Sequence, residues 1–449
     1  MRSMGMPIFG ESADASKQSV AQRHVRSDEI ALAARLLTRV LRGDNLEVVI
    51  HRHGGQAATP RITAWLYGSC RHFFSLSEQL TRLCHIPLAK LDYDVLAVLL
   101  LGAYQLIHSD AKRHAIVSES VAATTILRKS AAGLVNAVLR KIDTAYEPET
   151  TVGQLELPDW FIAEFRATYG ESLLQQLAAS MMTRAPLSLR VNQTKIDPMS
   201  FQGALWEQGI AFVELYRPST IRLCKPRPIA SIPGYAEGWF AVQDANAQLA
   251  VHALQVEPGM HVLDACAAPG NKTLQLLERA ANLTALDADA SRGAWLKTES
   301  QRLGMQISIE TADATTRSWW DGEPFDRILI DAPCSATGTI ARHPDVKMHR
   351  AQDQLPLLAN LQERLLNNLW ELLSENGLLV YCTCSLLRQE NEYVISEFIA
   401  QHRDVQVEAI SEGAPGNPLS QKMAHGVQLF PDPNWGDGFY VSKLRKLAA

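Results

Sequence analysis

The chain has 449 residues, 47% of them hydrophobic, with a formal net charge of −5 and a pI near 6.2. That length exceeds what one core usually serves, so two or three domains are expected, and the mild acidity excludes a globally basic nucleic-acid binder while leaving local phosphate-gripping patches open. Seven cysteines, odd in number and without framework spacing, speak for a reducing, cytoplasmic setting, and no segment offers the ~18 uncharged apolar residues that a spanning helix needs.

Residues 1–26 are small and polar and read as a mobile tail. Residues 27–145 read as an all-α domain: Leu32, Leu36 and Val40 recur at four-residue spacing, followed by helical runs over 95–107, 117–127 and 131–142. Helical patterning alone does not separate an RNA-binding module from a purely structural bundle. The segments Leu99-Leu-Leu-Gly-Ala-Tyr-Gln-Leu106, Val117-Ser-Glu-Ser-Val121 and Gly133-Leu-Val-Asn-Ala-Val-Leu-Arg140 resemble the helical domain of the antitermination factor NusB. The resemblance implies an RNA-binding module, of the kind fused to the N-terminus of one group of rRNA methyltransferases.

A breaker-rich linker at 143–155 precedes a small α/β segment, 150–235, in which Leu187, Leu189 and Val191 alternate as in a strand. Between Arg184 and Arg227 stand Arg184, Arg190, Lys195, Arg217, Arg222, Lys225 and Arg227 against Asp197, Glu207 and Glu214. So small an excess is most often a solvated face, although its place in the chain favours RNA contact. Leu189-Arg-Val-Asn192 with Lys195 resembles the RNA-binding segment that precedes the catalytic domain in RNA cytosine-C5 methyltransferases, and Gly238-Trp-Phe-Ala-Val-Gln-Asp244 resembles that family's entry into the catalytic domain.

From 236 to 449 strand and helix signals alternate, with strands at 261–265, 283–287, 306–310, 325–331 and 377–383 and helices at 271–280, 291–303, 354–373 and 390–400; 405–410 and 438–443 can complete the sheet. Repeated β-α units imply a doubly wound, parallel, Rossmann-like α/β sheet whose carboxyl edge binds ligands. At the first crossover stands Asp264-Ala-Cys-Ala-Ala-Pro-Gly-Asn-Lys-Thr273, whose small residues let a ligand approach the backbone. It is not a P-loop, because the required glycines would fall at Cys266 and Asn271, and it is not a dinucleotide fingerprint. Asp287, Asp313 and Asp331 follow at later strand ends. One such acid is usually a cap or turn residue, whereas three in succession beside this loop suggest ribose and base contacts.

Two cysteines also stand at strand ends, in Asp331-Ala-Pro-Cys334-Ser and Thr383-Cys384-Ser385, and spacing does not rank them. Cys70, Cys84 and Cys224 read as small buried hydrophobes, Cys266 as loop packing and Cys382 as strand lining; no Cys/His spacing calls for a metal. Arg342-His-Pro-Asp345 is a candidate for substrate phosphate or loop contacts.

Together these motifs resemble the S-adenosylmethionine-dependent RNA cytosine-C5 methyltransferases of the Nop/Sun type, over nearly the whole chain after residue 26. The resemblance implies a donor site formed by Cys266, Ala267, Ala268, Pro269, Gly270, Lys272, Asp287, Arg292, Asp313 and Asp331. It implies Cys384 as nucleophile, Cys334 as the helper in product release and Asp331 as the contact to the cytosine N3/N4 edge. Family members generally have Gly where Asn271 stands; Asn tolerates left-handed backbone, so the loop is expected to survive.

The chemistry suits a thiol: C5 of cytosine is a poor nucleophile until a thiolate adds at C6 and makes it enamine-like. The base must also leave its stack. The resemblance implies methylation of C5 of a cytosine in 16S rRNA, and the expectation is a monomer with no metal and no membrane. The alternatives are the same chemistry on tRNA or another rRNA, and an RNA-binding assembly factor in which methylation is secondary.

Overall fold

A computed structural model of the chain describes residues 27–279, 282–290, 293–410 and 419–448. The expected tail and Arg292 lie outside the described residues. The chain divides between Thr150 and Thr151 into two compact units.

The first unit is all helical. Its centre is the helix Tyr93–His108, in which Val95 to Ala103 is an unbroken buried run, because helices Ser27–Leu41, Pro60–Arg71, Arg113–Arg128 and Ala132–Leu139 pack around it. A helix apolar on every side must be enclosed in this way. Thr59 starts Pro60–Arg71 by accepting from the Ile62 N–H at 3.3 Å, with proline in the first turn where its missing N–H costs nothing.

The second unit opens with the short helix Thr151–Leu155, a helical stretch Asp159–Met182 kinked at Gly170, and a four-stranded antiparallel sheet: β1 (Leu187–Val191), β2 (Phe212–Glu214), β3 (Thr220–Leu223) and β4 (Phe240–Val242), in the order β2-β3-β1-β4. The alternation at Leu187, Leu189 and Val191 does form a strand, and Leu189 and Val191 sit in a core with Phe201, Ile221 and Phe240. Arg190 points the other way and is fully buried, pairing with Glu278 and donating to Gln243 Oε1 at 2.6 Å. Burial pulls its pKa down to about 9. It therefore ties this sheet to the end of helix Asn271–Leu277 and drops out of the basic face expected from sequence. Cys224, expected inside, is exposed just beyond β3.

The large sheet contains β5 (His261–Asp264), β6 (Asn282–Asp287), β7 (Ile309–Thr311), β8 (Phe325–Asp331), β9 (Leu373–Thr383), β10 (Val405–Glu408), β11 (Ser420–Lys422), β12 (Val427–Leu429) and β13 (Phe439–Lys446). Its order is β11-β12-β13-β9-β8-β5-β6-β7, with β10 also on β13. Strands β5 to β9 are parallel, as the repeated β-α units imply; β13 joins β9 antiparallel and adds a mixed edge. The third strand begins at Ile309 rather than near Gln306.

Period-two geometry sends alternate residues to opposite faces. Ile328, Ile330, Leu379 and Tyr381 face helices Leu355–Trp370 and Glu392–Gln401, while Leu329, Leu378, Val380 and Cys382 face helices Gln248–Leu254 and Asn271–Leu277. The chain reverses direction across the sheet at β5, whose neighbours are β6 and β8. At such a switch point the carboxyl ends open a crevice, here between the Asp264 loop and Asp331.

Candidate active site

The loop after β5 is fastened within itself and to the end of β6. Thr273 Oγ1 donates to Asp264 Oδ2 at 2.7 Å, Ala267 N donates to Leu286 O at 2.7 Å, and Ala268 N donates to Asp287 Oδ2 at 2.9 Å. Gly270 carries the left-handed backbone, φ 113°, and a Cβ there would lie 2.3 Å from Leu296. Asn271 begins the following helix, so its tolerance of left-handed backbone is not drawn on. Cys266 packs on the main core, and Ala267 and Ala268 are buried, with the Ala268–Pro269 bond cis.

Asp264 is buried, and its Oδ1 has no hydrogen-bond partner. Its pKa is pushed up to about 7, first by burial, against the Thr273 hydrogen bond, and further by the Asp331 and Asp287 charges. Asp287 ends β6 and also accepts from Asp289 N at 2.9 Å. Asp313, beyond β7, accepts from Thr315 N at 2.9 Å and lies at the outer end of the row. Carboxylates thus close four neighbouring parallel strands, and one buried oxygen still lacks a donor. This set fits a cationic ligand that carries hydroxyl groups.

The β8–β9 end holds the thiols. In register, Asp331 lies opposite Cys382, and the Cys382 thiol is 3.5 Å from Asp331 Oδ1. Lys272 reaches from the donor loop to Asp331 Oδ2 at 2.8 Å and lies 5.0 Å from the centre of the Phe439 ring. Burial works against the Lys272 charge, but the Asp331 charge and hydrogen bond, together with Cys382 and Cys384, outweigh it and hold the amine above its ordinary range. Asp331 keeps about 29% of its side chain exposed, which leaves it open to a ligand.

Cys334 and Cys384 bring their sulfurs to 3.5 Å. The hydrogen bond between them and then burial push the Cys334 thiol well up. Gly338 joins the two segments and packs tightly on the chain before β13. Its N–H donates to Cys384 O at 2.8 Å, and a Cβ there would meet Gly438 O at 2.3 Å.

The structure therefore unites Lys272, Asp331, Cys334 and Cys384, with the Asp264 loop and Asp287 beside them. Arg342, a candidate for phosphate or loop contacts, makes loop contacts here, pairing with Asp437 at 2.7 Å and Asp244 at 3.3 Å. Sequence reasoning passed over Glu390 and Asn391, both fully buried and bonded to the thiol segments. Their signal was a polar pair between Leu386-Leu387 and Val394-Ile395. Among the described residues, no cluster of His, Cys, Asp and Glu could hold a metal ion.

The descriptions of three families match in chain order: the NusB family over 31–144, the RsmF/B-like ferredoxin-like domain over 157–230, and the 16S rRNA methyltransferase RsmB/F over 251–445. Ribosomal RNA small subunit methyltransferase B of Pseudomonas syringae pv. tomato is 39% identical over 398 residues, spanning 85% of this chain and 88% of its own. The chain belongs to the 16S rRNA methyltransferase RsmB/F family. The RsmB/F relative from Pasteurella multocida is 35% identical over 96% of this chain and 99% of its own. Among solved structures, a methyltransferase homologue from Pyrococcus horikoshii is 30% identical, with a TM-score of 0.57 over 66% of this chain and 97% of that one. As an RsmB/F member the protein is an S-adenosylmethionine-dependent rRNA methyltransferase.

Proposed function

We propose that this RsmB/F member methylates C5 of a cytosine in 16S rRNA through a transient bond between Cys384 and C6 of the base. The observation that carries the reading is the Cys334–Cys384 pair, 3.5 Å apart, beside an Asp331 already paired with Lys272. Cys334, pushed up by its partner and by burial, is suited to hold a proton, which leaves Cys384 as the attacking sulfur. Attack forms the S–C6 bond and moves the C5=C6 π pair to C5 and onward into the ring, where Asp331 can accept a hydrogen bond from the N4 amino group or a protonated N3. A uracil offers a carbonyl in place of that amino group and would face the carboxylate unfavourably.

The donor supplies a methyl group on a positively charged sulfur, and Asp264, Asp287 and Asp313 would hold its cationic and hydroxyl groups. Once Cys384 is bonded to C6, Cys334 can release its proton to water. It then takes the C5 proton as the electron pair of that C–H bond restores C5=C6 and Cys384 departs. The thiol pair returns to its starting state, with one proton released per methyl transferred.

In this reading residues 27–145 and 150–235 contact the RNA, and the enzyme works as a cytoplasmic monomer; all seven free cysteines are in keeping with a reducing compartment. The test is incubation of wild type and Cys384→Ala with 5-fluorocytosine-containing 16S rRNA, together with bisulfite sequencing of 16S rRNA and tRNA exposed to each. Wild type should form a covalent adduct, and Cys384→Ala should form none, with kcat lower by about 10⁴ or more. An adduct persisting in Cys384→Ala would overturn the assignment, and a mark found on tRNA but not on 16S rRNA would overturn the substrate.

A further inference from the structure

The thiols stand on segments far apart in sequence that touch directly, with Gly338 N–H donating to Cys384 O and Leu386 N–H to Thr337 Oγ1, both at 2.8 Å, and a third element joins them next to the sulfurs. Each cysteine is followed by a serine, and both serines meet one carboxylate. Glu390 Oε1 accepts from the Ser335 N–H at 2.7 Å, and Glu390 Oε2 accepts from Ser385 Oγ at 2.6 Å. The serine hydroxyls are 3.0 Å apart. Gln362 Nε2 extends the tie, donating to Pro333 O at 2.8 Å and to Glu390 Oε1 at 3.3 Å. On the other side Asn391 accepts from Thr383 Oγ1 at 2.5 Å and donates to Ser385 O at 2.9 Å, so it brackets Cys384.

Glu390 is wholly buried. Burying a carboxylate costs several kcal/mol, on the order of its lost hydration, unless its oxygens are satisfied. Here the donors that satisfy it come from the two segments that carry the thiols. Removing the carboxylate would leave the Ser335 N–H and the Ser385 hydroxyl to find other partners, and the two loops would lose their common anchor.

We infer that Glu390 is a positioning residue for methyl transfer: by tying Ser335 to Ser385 it sets the Cys334–Cys384 separation. The inference rests on the assignment of these thiols as the working pair. Attack and proton removal use the two sulfurs on one base in turn, so a shift of either loop by about 1 Å would slow the chemical step by about 10²-fold while leaving RNA affinity alone.

The experiment compares full-length wild type, Glu390→Ala and Glu390→Gln. Gln keeps an acceptor for the Ser335 N–H and offers an amide donor to Ser385 Oγ. Glu390→Ala should lower kcat and the rate of adduct formation with 5-fluorocytosine RNA by about 10²-fold, with KM for RNA within about threefold of wild type, and Glu390→Gln should recover to within about tenfold. A second readout is independent of catalysis. With oxidised glutathione, Cys334 and Cys384 lose two hydrogens to form one disulfide while the oxidant becomes two glutathione molecules, and mass mapping follows the rate. Closure should slow in Glu390→Ala.

Wild-type kcat and closure rate in Glu390→Ala would overturn the inference, as would a Glu390→Gln no better than Ala. If Glu390→Ala does not fold, Ser385→Ala cuts one tether alone and should lower kcat about tenfold at unchanged KM; an unchanged kcat there overturns the inference. Should wild type bond to RNA through another residue, the thiol assignment fails, and the closure rate still decides whether Glu390 sets the gap.

Discussion

The donor side and the thiol side of one sheet edge are held by different means. On the donor side the fastenings are short in sequence or run to the next strand: Thr273 to Asp264, Ala268 to Asp287 and Thr315 to Asp313. On the thiol side they come from afar, from Glu390 and Gln362 to Ser335 and Pro333. Only Lys272 crosses between the sides among the contacts described above, with its amine on Asp331. A loop that satisfies its own polar groups keeps its shape in many settings, whereas a gap between two loops keeps its width only while a third element spans it.

The crossing lysine offers the sharpest way to break this contrast. Lys272→Met removes the charge from Asp331 while keeping an unbranched side chain over Phe439, and kcat for methylation should fall about 10²-fold, the scale of losing one preorganised charge at a reacting centre. Single-turnover methylation measures it. A fall of less than tenfold would mean that strand register alone holds Asp331 in place.

The donor side should show itself in pH dependence. Asp264, raised to about 7 in the folded protein from an ordinary value of 3.8, binds its proton more tightly folded than unfolded. Its contribution to stability is therefore full below about pH 4 and is lost as pH rises through 7, by up to about 4 kcal/mol. Denaturant unfolding of Asp264→Asn without donor should show a shallower fall over this window. The slope should not vanish, because Asp244, pushed up to about 7 by burial and then by Asp437, titrates there too. An unchanged slope would place the Asp264 proton elsewhere.

The smallest effect is expected at Asn271. Gly270 supplies the left-handed turn, and Asn271 Oδ1 makes no hydrogen bond. Asn271→Gly should shift stability by only a few tenths of a kcal/mol, about what a helix-start exchange of this kind costs, and donor KM by less than about threefold. A larger change in KM would reveal a direct contact with the donor and would make this loop less self-contained than its internal bonds indicate.

Legibility followed the same division. The helices of the first unit, the strand at Leu187–Val191 and the alternation from β5 to β9 could be read because burial imposes periods that appear along the chain. The donor loop could be read as a motif because its partners lie within it or at the next strand end. The pairing of Arg190 with Glu278 and of Arg342 with Asp437 could not be read, because charge along a sequence does not show which cations meet buried carboxylates. The outward turn that exposes Cys224 has no such signal either.

The amino-acid sequence by itself determined the order of β-α units, the carboxylates at strand ends and the presence of two thiols on the active edge. Tertiary structure decided that those thiols stand 3.5 Å apart, that Asp331 meets Lys272, and that Glu390 joins the segments between them. The physical reason is register. Pairing β8 with β9 so that Asp331 faces Cys382 sets where both cysteine loops begin, and no local pattern in either strand encodes that match.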